Sequence, residues 1–249
     1  KIRFRSPENV VDEIIFLHRE YGVKEIHFED DNLTMKRSHI QKICELMIKN
    51  NLHLSWACPN GIRADKIDED LIALMKKSGC YLLAFGIESG SPEILQKVKK
   101  NENLQTIEKA IELVDKFGLI CQGFFIFGLP GETKKTIRES IEFAKRSKLT
   151  RAQFVILDVL PGSELWGSLK GQFEPNFGKK SYREPEWLPE GITREVLISA
   201  QQKALLEFYL RPHILWSFVK YAKLYQFKYF WRRFKDYQLF KLAGHLFPS

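Results

Sequence analysis

Tyr81-Leu82-Leu83-Ala84-Phe85-Gly86-Ile87 is an almost unbroken apolar run, and Leu119-Ile120-Cys121-Gln122-Gly123-Phe124-Phe125-Ile126-Phe127 is a second. Runs of this kind predict strands covered on both faces. Outward from them, further β-rich runs lie at Glu25–Phe28, Leu52–Ala57 and Ala152–Val159. Apolar residues at three- and four-residue steps predict helices near 7–20, 36–50, 68–78, 103–117 and 133–147. Strand and helix alternate at roughly the 30-residue pitch of βαβ units. That order implies a parallel sheet, either open and doubly wound or closed as a barrel. Ser6-Pro7 fits a helix start, and Asp68, Ser91-Pro92 and Glu132-Thr133 read the same way.

The chain has 249 residues, 44% of them hydrophobic, which suffices for one sizeable core. Its four cysteines exclude a disulfide-stapled scaffold. No apolar run reaches the length of a membrane span, and no signal peptide opens the chain, so the cytoplasm is the expected compartment. The first residue is Lys, which suggests a piece of a longer protein.

The strand rhythm stops near 161, and 171–192 is rich in Gly, Pro and charge. Thr193 starts a helical stretch to about 210, closed by Arg211-Pro212, and 213–240 is aromatic and basic. The expected organisation is an α/β core over 1–165, a loop or linker over 166–192 and a helical extension over 193–249. Residues 201–249 hold nine Lys and Arg against two acids, nearly the whole net charge of +8. A global argument from basicity to nucleic acid therefore fails.

Ligands of parallel α/β sheets bind at the carboxyl ends of the strands. There the sequence places Glu29-Asp30-Asp31-Asn32, Cys58-Pro59-Asn60-Gly61-Ile62-Arg63, Glu88-Ser89-Gly90-Ser91, Gly128-Leu129-Pro130-Gly131-Glu132, and Asp158 leading to Pro161-Gly162. Caps and turns alone use such residues. Three features exceed that need. Glu29, Asp30 and Asp31 are consecutive acids that repel unless they meet a cation, such as a ligand ammonium or a metal. Glu88 follows a very apolar strand, and a ribose diol donating two hydrogen bonds would satisfy it. The glycines of 128–131 let backbone approach something flat or bulky. No Walker loop, serine-hydrolase elbow or histidine pair is present. No cysteine pair has zinc or redox spacing; Cys44, Cys80 and Cys121 read as buried thiols, whereas Cys58 lies at a strand end on the ligand side.

The segments EIHFEDDNLT, SWACPNGIRAD, AFGIESGS, GFFIFGLPGET and VLPGSELW, in this order and spacing, resemble the radical SAM superfamily, most of all the branch with an upstream cobalamin-binding domain. EFYLRP (Glu207–Pro212) and the basic tail resemble that branch too. The resemblance implies a partial (β/α)6 barrel holding S-adenosylmethionine and a [4Fe-4S] cluster. It assigns Glu29 and Asp30 to the methionine amino group, with Asp31 beside them among the cofactor-binding residues, and Glu88 and Ser89 to the ribose and carboxylate. Ile126, Gly128 and Glu132 fall in the segment packed on adenine, with a backbone contact at Leu160 of VLPG. Asn60 and Arg63 face the same cavity, toward the methionine carboxylate or the substrate. It implies reductive cleavage of S-adenosylmethionine to a 5′-deoxyadenosyl radical, an electron donor such as flavodoxin or ferredoxin, and, with cobalamin, methyl transfer or cyclisation.

One departure is large. The family's three cluster ligands lie in a CxxxCxxC loop after the first strand, and no such loop exists here. RFRSPENVVDEI resembles the helix that follows it. The expectation is a barrel lacking its first strand, inactive by itself, from a radical enzyme. Two rivals stand beside this reading: a lyase or aldolase barrel with Glu88 as base, and a nucleoside-binding module without a cluster. Three uses fit the tail from Phe208 to Phe240. Its aromatics could cover the core, it could stack on nucleic-acid bases, or Trp216, Phe218, Phe230 and Trp231 could lie in a membrane surface. Nucleic acid is not the expected partner; a lipid-like small molecule suits the membrane use.

Overall fold

The computed structural model describes residues 3–169, 171–173, 185 and 187–221. Ser6 caps helix α1 (Pro7–Tyr21) by accepting from the Asn9 N–H, and Gly22 closes it in the left-handed conformation. Then follow β1 (Glu25–His27), α2 (Arg37–Lys49), β2 (Ser55–Ile62), α3 (Glu69–Lys77), β3 (Cys80–Glu88), α4 (Pro92–Lys97) and α5 (Leu104–Lys116). The series continues with β4 (Ile120–Phe127), α6 (Lys134–Arg146), β5 (Arg151–Ile156), α7 (Glu164–Ser168), α8 (Arg194–Tyr209) and α9 (Pro212–Tyr221). Asp68 caps α3 and also takes both guanidinium arms of Arg37 from α2, at 2.6 and 2.9 Å. Thr133 and Thr136 form a reciprocal capping box on α6.

All strands are parallel, in the order β1-β2-β3-β4-β5. Strand periodicity divides the side chains between two faces. One face carries Trp56, Leu83, Phe85, Cys121, Phe125 and Phe154, all buried, with Ile43, Met47, Ile72, Met75, Ile111 and Phe143 of the helices in the same core. Phe154 stacks on Phe125 at 5.1 Å and on Phe127 at 5.6 Å, pairs worth about 0.5–1.5 kcal/mol each beyond burial. The opposite face carries His27, Ala57, Ala84, Phe124, Ile126, Gln153 and Val155 and is only partly covered. The expectation of strands covered on both faces holds for β3, whose Leu82 and Ala84 on this second face are buried, and is corrected for β4. β4 alternates buried with half-buried residues, so its second face is the less covered one.

The strand limits also shift. β2 begins at Ser55 and runs on to Ile62, so Cys58 lies within the strand, not past its end. A register slip between Cys58 and Ile62 lets Pro59 and Gly61 be carried in the strand. β5 stops at Ile156, three residues short of the expected end, α4 begins at the helix start read at Ser91-Pro92, and α7 is a short helix that the periodicity did not reveal.

Two compact units are present, residues 1–208 and 209–249. Within the first, α8 covers the β5 edge. Gln201 Nε2 donates to the Phe154 carbonyl at 2.7 Å, and Phe208 packs edge-on against the Phe154 ring. Glu207, from the EFYLRP motif, accepts from Arg138 and Lys145 of α6, both at 2.6 Å. Burial alone would raise the Glu207 carboxyl, but these two bonds outweigh it and hold the carboxyl below its ordinary value. Replacing Glu207 with Ala is expected to cost about 1–3 kcal/mol at neutral pH and to speed amide exchange in α8. Denaturant unfolding checks the first, exchange mass spectrometry the second. The second unit contains α9, on which Trp216 is exposed. Phe230 and Trp231 of the tail reading lie outside the described residues, as does the Phe218 side chain.

Candidate functional site

The carboxyl ends of β1, β2 and β3 bring the polar residues into two groups. At the end of β1, Glu29, Asp30 and Asp31 are exposed. They line a cavity of about 670 Å³ together with Phe28, Leu33 and Met35. Arg3, Arg5 and Glu13 share its wall, and Arg5 is paired with Glu13 at 2.5 Å. Asn60 of β2 ties the rim together by donating to the Glu29 carbonyl at 2.9 Å. His27 Nδ1 stands 3.9 Å from Glu29, while its Nε2 meets Glu25 at 3.0 Å and the Tyr81 hydroxyl at 3.2 Å. The Tyr81 hydroxyl also donates to Glu25, which holds that carboxyl below its ordinary value.

Glu88 anchors the second group. The pairing of β3 with β4 slips between Gly86 and Glu88, and Glu88 takes φ +66°. For a residue with a Cβ this conformation costs about 1–2 kcal/mol. A bulge at a strand end re-aims a side chain, and here the Glu88 carboxylate folds back over Gly86. A Cβ on Gly86 would lie 2.7 Å from Glu88 Oε1, so this position admits only glycine without a shift. Glu88 Oε1 is 3.4 Å from Lys100 Nζ. Lys100 is also 3.4 Å from Glu102, whose other oxygen accepts from the Asp65 N–H at 3.2 Å. Arg63 grips Asp65 through two bonds of 2.8 and 3.0 Å and reaches the Asn101 carbonyl. Arg63 therefore belongs to this network, and neighbouring Asp65 is its anchor. Lys100 and Glu102 escaped the sequence reading, since Lys99-Lys100-Asn101-Glu102 looks like an ordinary charged loop.

Other expected residues lie elsewhere. Ser89 is fully buried; its Oγ pairs with Ser140 Oγ at 3.1 Å and accepts from the Ser91 N–H. Gly128, at φ +90°, is approached by Leu197 of α8, 3.1 Å from a built Cβ, and Gly131 by Lys97. The bulky neighbours of this glycine turn are thus side chains of the chain itself. Glu132 is buried beneath the turn and accepts from the Gly128 N–H at 2.5 Å and the Leu129 N–H at 3.3 Å. Among the described residues its Oε1 has no hydrogen-bond partner, and burial pushes the carboxyl up to about 7 against those two bonds. Ile126 is half-buried on the partly covered face, and Leu160 is exposed with its carbonyl accepting from the Ser163 hydroxyl.

The cysteines are all buried. Cys58 is fully enclosed, and burial pushes its thiol up to about 12. Cys44 is pushed to about 11, and burial raises Cys80 and Cys121 further. Thiolates ligate metals, and these four are held as thiols. Among the described residues no group of three His, Cys, Asp or Glu could hold a metal. No helix of the described residues is long and apolar enough to cross a membrane.

The sequence model of the radical SAM superfamily matches residues 1–144. An uncharacterized methyltransferase of Pyrococcus horikoshii is 35% identical over 216 residues, 86% of this chain and 47% of that protein. An anaerobic magnesium-protoporphyrin IX monomethyl ester cyclase of Rubrivivax gelatinosus is 27% identical over 86% of this chain and 39% of its own length. The chain thus spans less than half the length of these relatives. In structure, the radical S-adenosylmethionine methyltransferase TsrM from Kitasatospora setae, solved with cobalamin and a [4Fe-4S] cluster bound, superposes with a TM-score of 0.63. That match has 18% identity and covers 84% of this chain and 42% of TsrM. It identifies the five strands as a half-barrel.

Proposed function

This chain belongs to the radical SAM superfamily, and from that premise we propose that the carboxyl ends of its strands hold S-adenosylmethionine for methyl transfer or cyclisation on a small, hydrophobic substrate. The observation that carries this reading is Glu88, a carboxylate held in a strained conformation at a strand-end bulge. Strain at such a position is a mark of function. The residues fit the ligand's parts. Glu29, Asp30 and Asp31 receive the ammonium. Glu88 accepts from the ribose hydroxyls. Ile126 offers an apolar surface to the adenine, and Leu160, by the resemblance, adds a backbone contact. Glu132 holds the Gly128–Gly131 turn in shape beside it. When bound, S-adenosylmethionine supplies the methyl group and the one-electron chemistry of the family.

The residues do not fit the [4Fe-4S] cluster, because no described group can ligate it and the cysteines are enclosed thiols. The names of the relatives support methyl transfer and cyclisation, and the cobalamin in TsrM supports cobalamin as a further cofactor of the whole protein. An electron donor of the flavodoxin or ferredoxin kind, a lipid-like substrate and a membrane contact through the basic aromatic tail belong to the same proposal. The enclosed cysteines favour a second reading, a nucleoside-binding module without a cluster. The family assignment displaces the lyase reading of Glu88.

Calorimetric titration with S-adenosylhomocysteine tests the site. A hydrogen bond to a charged group contributes about 1.5–3 kcal/mol, so Glu88→Gln is expected to weaken binding by about 10- to 100-fold. Equal affinity for the two proteins would remove Glu88 from the site. Release of S-adenosylhomocysteine or 5′-deoxyadenosine by the anaerobically reconstituted full-length protein separates the enzyme from the binding module.

A further inference from the structure

We propose that Lys100 and Glu102 are positioning residues for Glu88, a role that rests on the reading of Glu88 as the ribose acceptor. Lys100 sits in the short loop between α4 and α5, directly after left-handed Lys99 (φ +55°). Its backbone N–H is tied to the Leu95 carbonyl at 2.9 Å, so the loop presents the side chain from a fixed base. Nζ stands 3.4 Å from Glu88 and 3.4 Å from Glu102.

The two carboxylates differ in burial. The Glu102 side chain is 1% exposed and that of Glu88 is 26% exposed. A buried carboxylate is costly unless a cation and hydrogen bonds compensate it. For Glu102 these are Lys100 and the Asp65 N–H. Lys100 therefore cannot swing toward solvent without stranding Glu102. That constraint keeps its ammonium on Glu88 Oε1. The other oxygen, Oε2, has no hydrogen-bond partner among the described residues, which leaves it for the hydroxyls of a ligand. Glu102 is held in turn by the end of β2. The Asp65 N–H grips its carboxylate, and Arg63 grips both the Asp65 side chain and the Asn101 carbonyl. The loop carrying Lys100 is thus fastened to the turn after β2, and the turn and the loop together set the direction of the Glu88 carboxylate.

A pairing role of this kind has a signature that a purely structural role lacks: it changes ribose discrimination. The test measures dissociation constants of the full-length protein for adenosine and for 2′,3′-dideoxyadenosine, with melting curves alongside. The wild type is expected to prefer adenosine by 10-fold or more, and Glu88→Gln to abolish the preference. Lys100→Met and Glu102→Gln are expected to bring the preference to within about threefold of unity, and Lys100→Arg to restore most of it. If Glu88→Gln loses the preference while Lys100→Met and Glu102→Gln keep it, the positioning role is wrong and the Glu88 reading stands. If Glu88→Gln keeps it, the Glu88 reading fails and this inference with it. Equal weakening of both nucleosides with a lowered melting temperature would make Lys100 and Glu102 structural only.

Discussion

Glu132→Gln is expected to flatten the dependence of stability on pH between about 4.5 and 7. The Glu132 carboxyl has its ordinary value near 4.5 in the unfolded chain and is pushed up to about 7 in the fold. The cause is burial, opposed by the N–H groups of Gly128 and Leu129. A raised carboxyl favours the fold in its protonated form. Its contribution is fully present below 4.5 and is lost as pH rises through about 7. Each pKa unit corresponds to about 1.4 kcal/mol, so the loss approaches about 3 kcal/mol. The difference in unfolding free energy between wild type and Glu132→Gln, followed by urea titration from pH 4 to 8, isolates this group from the other carboxylates. A constant difference across that range would mean that Glu132 is charged at neutral pH, with its Oε1 compensated.

Gly90→Ala is expected to destabilise the fold by about 3 kcal/mol or more. A Cβ at this position would stand 2.6 Å from Ser140 Cα, 2.7 Å from Phe143 Cβ and 2.8 Å from the Glu139 carbonyl oxygen. The obstacle is largely helix backbone, which cannot rotate aside, so α6 or the turn after β3 must move. Overpacking of this kind costs about 1–3 kcal/mol, and the shift also strains the 2.8 Å bond from the Gly90 N–H to Ser140 Oγ. Because the turn continues from Glu88, nucleoside binding should weaken with stability. Gly167→Ala is the control, since among the described residues nothing lies within 4 Å of a Cβ at that position. Denaturant unfolding of the two variants should differ by the full amount, and equal stabilities would show that α6 is not seated against Gly90.

The alternation of strand and helix was legible because apolar period and cap residues agree locally at Ser6-Pro7, Asp68 and Thr133. The end of β2 was not, because Pro59 and Gly61 signal a turn while a register slip carries them inside the strand. Of the candidate site, the strand-end carboxylates Glu29 and Glu88 could be read from position alone. Their companions could not. Lys100 and Glu102 gain their meaning from a loop folding over β3, a contact that no local pattern encodes. Ser89 looked like a ligand contact, yet its partner Ser140 lies 51 residues away on the covered side. The glycines of 128–131 signalled close approach correctly, but sequence does not say whether a ligand or Leu197 makes it.

The most direct measurement is a crystal structure of the full-length protein with S-adenosylmethionine. The ribose hydroxyls are expected within hydrogen-bond distance of Glu88, the ammonium among Glu29, Asp30 and Asp31, and the adenine against Ile126. A ligand bound elsewhere, with Glu88 still paired to Lys100 alone, would contradict this placement.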